Sequence, residues 1–113
     1  MSGLSDKYTY RVIWSEEDQE YVGLCAELPS LSWLDKSQGK ALAGIVKLAG
    51  ETVAEMTEND EKLPLPLMDK KYSGTFKVRI PSIVHRSLAL EAAEEGISIN
   101  RLVSAKLAHR VTT

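Results

Sequence analysis

Three short stretches near the start of the chain are rich in apolar residues and bounded by polar turns or proline, and then give way to a helical spacing. Residues 8 to 14, YTYRVIW, are rich in aromatic and β-branched side chains and predict a strand. SEEDQE is a polar turn, and YVGLCAEL predicts a second strand, so the pair reads as a hairpin with a loop of several residues. Pro29 and Ser30 break the second strand, and LSWL predicts a short third one. From residue 36 to 57, Ala41, Leu42, Ile45, Leu48, Ala49, Val53 and Met56 recur at spacings of three and four, which predicts a helix. Gly39, Gly44 and Gly50 lower its intrinsic propensity, so its packing face has to supply much of its stability.

The stretch ENDEKLPLPLMDKKYSG marks a boundary: polar, then extended by Pro64 and Pro66, then basic and closed by Gly74. Part of LPLPL is a candidate edge strand, where proline is tolerated. Strict alternation appears in GTFKVRIP, with Phe76, Val78 and Ile80 on one face and Thr75, Lys77 and Arg79 on the other. A helix from about Ser82 to Glu95, a break at EEGIS and a last helix from Ser98 to about Arg110 complete the chain. Ser82 and Ser98 suit helix N-caps, and Gly96 suits the left-handed residue that ends a helix. The expected class is α+β. A small three- to four-stranded antiparallel sheet with one helix occupies 1–67, a linker 68–74, and a strand-helix-helix unit 75–113.

The last unit is too short to own a core. Val84, Leu88 and Ala92 make one apolar stripe, and Ile99, Leu102, Val103 and Leu107 make another. Phe76, Val78 and Ile80 add a third apolar surface with no neighbouring strand in sequence. A second copy satisfies all three: two strands pair antiparallel across a two-fold axis, and four helices close a shared core. The expected dimer core is Phe76, Val78, Ile80, Val84, Leu88, Leu102 and Val103.

Composition narrows the classes. The chain has 113 residues, 43% of them apolar and 27% charged, as in globular proteins. No apolar run approaches the ~20 residues of a membrane span, and MSGLSDKYTY has no hydrophobic signal core. The single Cys25 excludes an intramolecular disulfide and speaks against a zinc site. A cytoplasmic protein with no membrane association, metal or cofactor is expected. The net charge of −2 conceals an asymmetry. From Thr75 onward six Lys/Arg face three acids, an excess of three positive charges, so the preceding residues carry five negative ones. A basic end on an acidic body favours nucleic-acid contact through that end. Arg86, Arg101 and Arg110 either assist with phosphates or only solubilise, and His85 and His109 are expected at the surface or at helix ends.

With these features in place, GTFKVRIPSIVHRSLALEAAEEGISINRLVSAKL resembles a ribbon-helix-helix DNA-binding domain of the Arc/MetJ type. R-x-P ends the strand, L-x-x-x-A lies in the helix, and G-x-S-x-N opens the second helix. The resemblance implies that Thr75, Lys77 and Arg79 read bases in the major groove, where Arg and Lys match guanine. It also implies that the backbone amides of Ser98, Ile99 and Asn100 hold a DNA phosphate. An alternating strand with exposed Thr, Lys and Arg is, taken alone, more often a solvated sheet face. The absent pairing partner tips the balance toward DNA.

The first half, from YTYRVIW through GETV, resembles the HicB antitoxin domain. The shared phrases are the extended strand, the acidic turn, Tyr21-Val22, Glu27-Leu28-Pro29 and a helix from Ser37. Trp33 in LSWLDKSQG and Gly39-Lys40 depart from that family's pattern. The resemblance implies a partial ribonuclease H-like fold and, as partner, a small HicA-like toxin that cleaves mRNA. A nuclease activity of the chain itself is not expected, because YTYRVIW offers no carboxylate to a pair of metal ions. Glu16, Glu17, Asp18, Glu20 and Glu27 are instead the candidate toxin-facing residues, since a basic toxin would be steered to an acidic body. The expected protein is a non-enzymatic antitoxin of a type II toxin-antitoxin system that also represses its own operon. It would be a homodimer on operator DNA, with room for two dimers to join into a tetramer through the first halves. The alternative is a ribbon-helix-helix repressor without a toxin, its first half serving oligomerisation or ligand binding.

Overall fold

The structure is a computed structural model and describes residues 3–109. The chain divides into two compact units, Met1–Ser73 and Gly74–Thr113. In the first, β1 (Tyr10–Ser15), β2 (Glu20–Cys25) and β3 (Ser32–Asp35) form one antiparallel sheet in the order β1-β2-β3. Ile13 pairs with Val22, and Val22 with Leu34. Helix α1 (Gln38–Glu58) packs on one face of this sheet. In the second unit α2 (Ser82–Glu95) packs against α3 (Ile99–His109). The described residues are therefore α+β, with three antiparallel strands in one sheet and three α-helices.

Local chemistry explains these boundaries. The Ser37 hydroxyl caps α1 by accepting from the Lys40 amide at 3.3 Å, and Asp35 Oδ1 accepts from the Ser37 amide at 2.9 Å. The buried residues of α1, Ala41, Gly44, Ile45 and Ala49, follow the expected three-and-four spacing. They meet Tyr8, Cys25 and Leu28 in the core, with Leu4, Tyr10, Leu31, Leu48, Val53 and Met56 around it. Ile45 has no exposed surface, which contributes roughly 1.5–3 kcal/mol of hydrophobic stabilisation.

Two glycines fix how closely α1 lies on the sheet. A Cβ on Gly23 would sit 2.5 Å from the Ala41 carbonyl oxygen and 2.8 Å from Ile45 Cγ2. A Cβ on Gly44 would run into the indole of Trp33. The glycine that weakens α1 as an isolated helix is thus the seat of the Trp33 indole. Its helix cost is offset by the contact it permits.

Several expectations need correction. The strands run Tyr10–Ser15 and Glu20–Cys25, so the AEL of YVGLCAEL is a turn, with the Leu28 amide donating to the Cys25 carbonyl. LPLPL is not an edge strand: Pro64 and Pro66 have no N–H to offer a ladder, and the segment is held by side chains. Ser82 is the first residue of α2, not its cap. Pro81 holds that place without a side-chain bond, and its carbonyl accepts from the Val84 and His85 amides. Gly96 ends α2 with φ of +69°, as expected for a left-handed terminal residue. The expected α3 end near Arg110 lies outside the described residues.

Gly44→Ala should lower unfolding stability by about 1–3 kcal/mol through overpacking against Trp33. In a Trp33→Ala background the same substitution should instead gain up to about 1 kcal/mol, the helix-propensity difference. Urea denaturation of the four variants in a double-mutant cycle measures the coupling.

Candidate functional site

Residues 75–80 form no strand within the single chain, since they have no neighbouring strand to pair with. Their apolar members lie open: Phe76 is 72% exposed, Val78 59% and Ile80 41%. Val84 on α2 is also exposed, and Leu88 half-buried. On α3, Leu102 is buried, as is Ala92 on α2, and Val103 is half-buried. Of the seven expected dimer-core residues, only Leu102 is thus buried by its own chain. Thr75, Lys77 and Arg79 are exposed as well. The unit is tied internally by the α2–α3 contact and by the Lys106–Glu91 ion pair at 3.0 Å.

The start of α3 is built as a small donor site. Ser98 caps it: its hydroxyl accepts from the Arg101 amide at 3.0 Å, and its carbonyl from the Leu102 amide at 3.0 Å. Ile99 and Asn100 follow in the first turn, where amides have no acceptor within the helix. No acidic residue occupies that turn, and Arg101 adds a cation. A cation at a helix N-terminus opposes the helix dipole.

In the first unit the acidic residues separate into two kinds. Glu16, Glu17 and Asp18 are exposed at the tip of the β1–β2 hairpin, and Glu20 opens β2 half-buried. The tip is ordered by its own side chains. Trp14 Nε1 donates to Glu16 Oε2 at 2.8 Å, Gln19 Nε2 to the Glu16 carbonyl at 2.7 Å, and Ser15 Oγ to Asp18 Oδ2 at 2.9 Å. The bond from Trp14, with a second from Gln19 Nε2 to Glu16 Oε1 at 3.2 Å, holds the Glu16 carboxyl below its ordinary pKa. Trp14 stacks edge-on against Tyr21, with ring centroids 5.1 Å apart, which braces the hairpin behind the tip.

Glu27 is of the other kind and departs from the expected acidic surface: it is only 9% exposed. Its Oε1 accepts from the Thr9 amide at 2.8 Å, and its Oε2 from the Leu67 amide at 2.9 Å and the Thr9 hydroxyl at 3.2 Å. Burial pushes this carboxyl up, but the bonds from Leu67 and Thr9 outweigh it and leave the pKa below its ordinary value. Nearby, Tyr8 Oη donates to the Pro64 carbonyl at 2.7 Å. The segment after α1 is thereby strapped to the sheet, with Pro66 buried. Burial also raises the Cys25 thiol and pushes the Tyr10 hydroxyl to about 12, so neither ionises near neutrality. Sequence reasoning missed the Glu27 clasp. Its signal was an acid set between Ala26 and Leu28 at a strand end, an unusual place for a solvated carboxylate.

Among the described residues, no group of His, Cys, Asp and Glu could hold a metal ion, and no helix is long and apolar enough to cross a membrane. Residues 57–107 match the model of the HicB family. No curated protein and no solved structure matches the chain. The family match covers less than half of the chain: the end of α1, the strap and most of the second unit. The stretch from YTYRVIW through GETV, which carries the HicB resemblance in the first half, lies outside it.

The folded-state pKa of Glu27 is depressed, so its stabilisation is present above the unfolded carboxylate value of about 4.3 and is lost as pH falls through the folded one. Wild-type stability should therefore fall below about pH 4.5. Glu27→Gln should flatten part of that fall and lower stability at pH 7 by about 1.5–3 kcal/mol. Thermal melts across pH 3 to 7 measure both.

Proposed function

We propose that the chain is a HicB-type antitoxin and autorepressor without enzymatic activity of its own. The match of residues 57–107 to the HicB family carries this reading. The open apolar surface of Phe76, Val78 and Ile80 supports its second half, because a single chain leaves that surface unpaired. In this reading two copies pair their 75–80 segments into a ribbon, and Leu88, Leu102 and Val103 join a core built from both chains. Thr75, Lys77 and Arg79 then face the major groove of operator DNA. The Ile99 and Asn100 amides, beside the Ser98 cap, hold a flanking phosphate and fix the register.

The first unit supplies the toxin-binding half. A ribonuclease toxin is basic where it binds RNA, and the ordered hairpin tip of Glu16, Glu17 and Asp18 presents it with fixed negative charge. Glu20 extends that charge along β2, whereas Glu27 is engaged internally and is not part of the surface. The neutralising act is occlusion: an acidic face competes with RNA for the same cations. A second reading survives on one observation, since the family match stops short of the sheet. A ribbon-helix-helix repressor whose first unit binds a ligand or another copy would show the same match.

Arg79→Ala should weaken binding to the DNA upstream of the reading frame by about 1–3 kcal/mol per half-site and relax its sequence preference, with the dimer still folded. Footprinting unchanged from wild type sinks the base-reading role. Wild-type affinity should also fall steeply with salt. Co-expression with the product of the adjoining short reading frame separates the two readings. Rescue from its toxicity, lost on Glu16→Lys/Glu17→Lys/Asp18→Lys, favours the antitoxin. A repressor that binds its operator but rescues nothing favours the second.

A further inference from the structure

Positive charge in this chain is concentrated, and it begins before the 75–80 segment. Residues 62–81 hold five cations, Lys62, Lys70, Lys71, Lys77 and Arg79, against one acid, Asp69. Residues 1–61, by contrast, hold five Lys/Arg against twelve Asp/Glu. Three of the five cations therefore belong to the end of an otherwise acidic first unit, in the segment that follows α1. A surface lysine is ordinarily just solvated, so placement decides whether these do more.

The strap brings two of them together. Lys62 and Lys70 are eight residues apart in sequence, yet they line one open hollow of about 320 Å³, with Leu63, Pro64 and Leu65 as its apolar wall. Directional bonds hold that shape. The Tyr8 hydroxyl donates to the Pro64 carbonyl at 2.7 Å, and the Leu67 amide donates to Glu27 at 2.9 Å. The Lys70 amide closes a 3-10 turn on the Leu67 carbonyl at 3.3 Å, and the Tyr72 hydroxyl donates to the same carbonyl at 3.1 Å. Neither Lys62 nor Lys70 takes part in an ion pair among the described residues. The one acid of the segment, Asp69, is engaged by Lys7 at 3.6 Å and does not line the hollow. Like charges converging on one hollow repel each other, and an external anion relieves that repulsion.

We propose that the Lys62–Lys70 hollow binds a phosphodiester of the operator DNA, on the backbone flanking the groove that the ribbon reads. This role presupposes the operator binding proposed above and adds a part of the first unit to it. Thr75 follows Lys70 by five residues, at most about 17 Å of extended chain. The major groove is about 12 Å wide, so phosphates along its rim are within that reach. Lysine suits the task, because its ammonium is a compact charge that meets phosphate without reading a base. The hollow supplies affinity and register, and leaves the choice of sequence to Thr75, Lys77 and Arg79. An RNA phosphate has the same chemistry, but the short tether to the ribbon favours DNA. The Glu27 and Tyr8 bonds gain a purpose beyond stability, since they hold the lysines where the chain leaves the first unit.

Salt titration of the full chain, on a labelled duplex of the DNA upstream of its reading frame, tests this. Lys62→Gln/Lys70→Gln removes two charges per chain and so four per dimer. The slope of log affinity against log salt should become shallower by about two to four. Hydroxyl-radical protection should be lost from the backbone on either side of the site's centre, with the preferred sequence unchanged. Lys36→Gln/Lys47→Gln removes the same charge from exposed positions elsewhere in the first unit, and should leave slope and protection as in wild type. Far-UV circular dichroism of both double variants establishes that the fold is kept. Equal slopes for the two double variants, or flanking protection that survives Lys62→Gln/Lys70→Gln, overturns the inference. A slope change on single-stranded RNA of equal length but not on the duplex overturns it in favour of RNA. A wild type that prefers this duplex to no unrelated one removes the repressor reading itself, and the role of the hollow with it.

Discussion

A buried carboxylate holds the first unit in one piece. Glu27 lies just after β2, yet its two oxygens reach the backbone before β1 and the backbone that follows the α1 helix. Three distant parts of the chain share one acceptor group. Pro64 and Pro66 deprive the strap of two amides that a fourth strand would have used, so side chains take over its anchoring. Burying such a charge is unfavourable unless its lone pairs are filled, and here amide and hydroxyl donors fill them. The Tyr8 hydroxyl on Pro64 adds a second tie, and an exposed Lys7–Asp69 pair at 3.6 Å adds little beside them. The strap is therefore anchored by directional bonds to a sheet, and the chain leaves the first unit from an ordered position.

Helix α1 depends on a different constraint, the missing side chains of Gly23 and Gly44. A helix with three glycines in its span is weak in isolation, yet this one runs 21 residues. Close contact with the sheet at Gly23 and cover from the Trp33 indole at Gly44 supply what propensity does not. Trp33 and Gly44 are then one feature seen twice, and each makes sense only with the other. A large side chain at one position is here answered by the absence of one eleven residues later.

Much of this was legible in the chain itself. Runs of aromatic, β-branched and other apolar residues between turns found the three strands, and the three-and-four spacing found α1, because both signals come from elements resting on a core. Gly96 and Ser98 were equally legible, since left-handed geometry and N-capping are local chemistry. Glu27 was not, because nothing local distinguishes an acid on a turn from an acid that collects amides from elsewhere. LPLPL misled for a related reason: proline is tolerated at a sheet edge, but strand pairing needs donors that two prolines lack. Pro81 took the cap position from Ser82 because proline suits the entrance of a helix without any side-chain bond. The second unit shows the remaining limit. Its apolar stripes were plain in the sequence, but a single chain cannot bury them.

That limit bears on how the two units could cooperate. The 75–80 segment has three open apolar residues and two basic ones, so in isolation it is an aggregation risk as much as a recognition element. Pairing with a second copy would remove the risk and create the reading surface in the same step, which makes DNA affinity depend on dimer concentration under the proposed reading. A basic toxin held at the hairpin tip would then change the assembly that presents the ribbon, and not the ribbon itself. Control would thus rest on association equilibria, which need no mobile element inside either unit. The rigid features of the first unit, the Glu27 clasp and the Trp33–Gly44 seat, suit it to that role, because a partner bound to an ordered body transmits its position and charge without first having to order the chain.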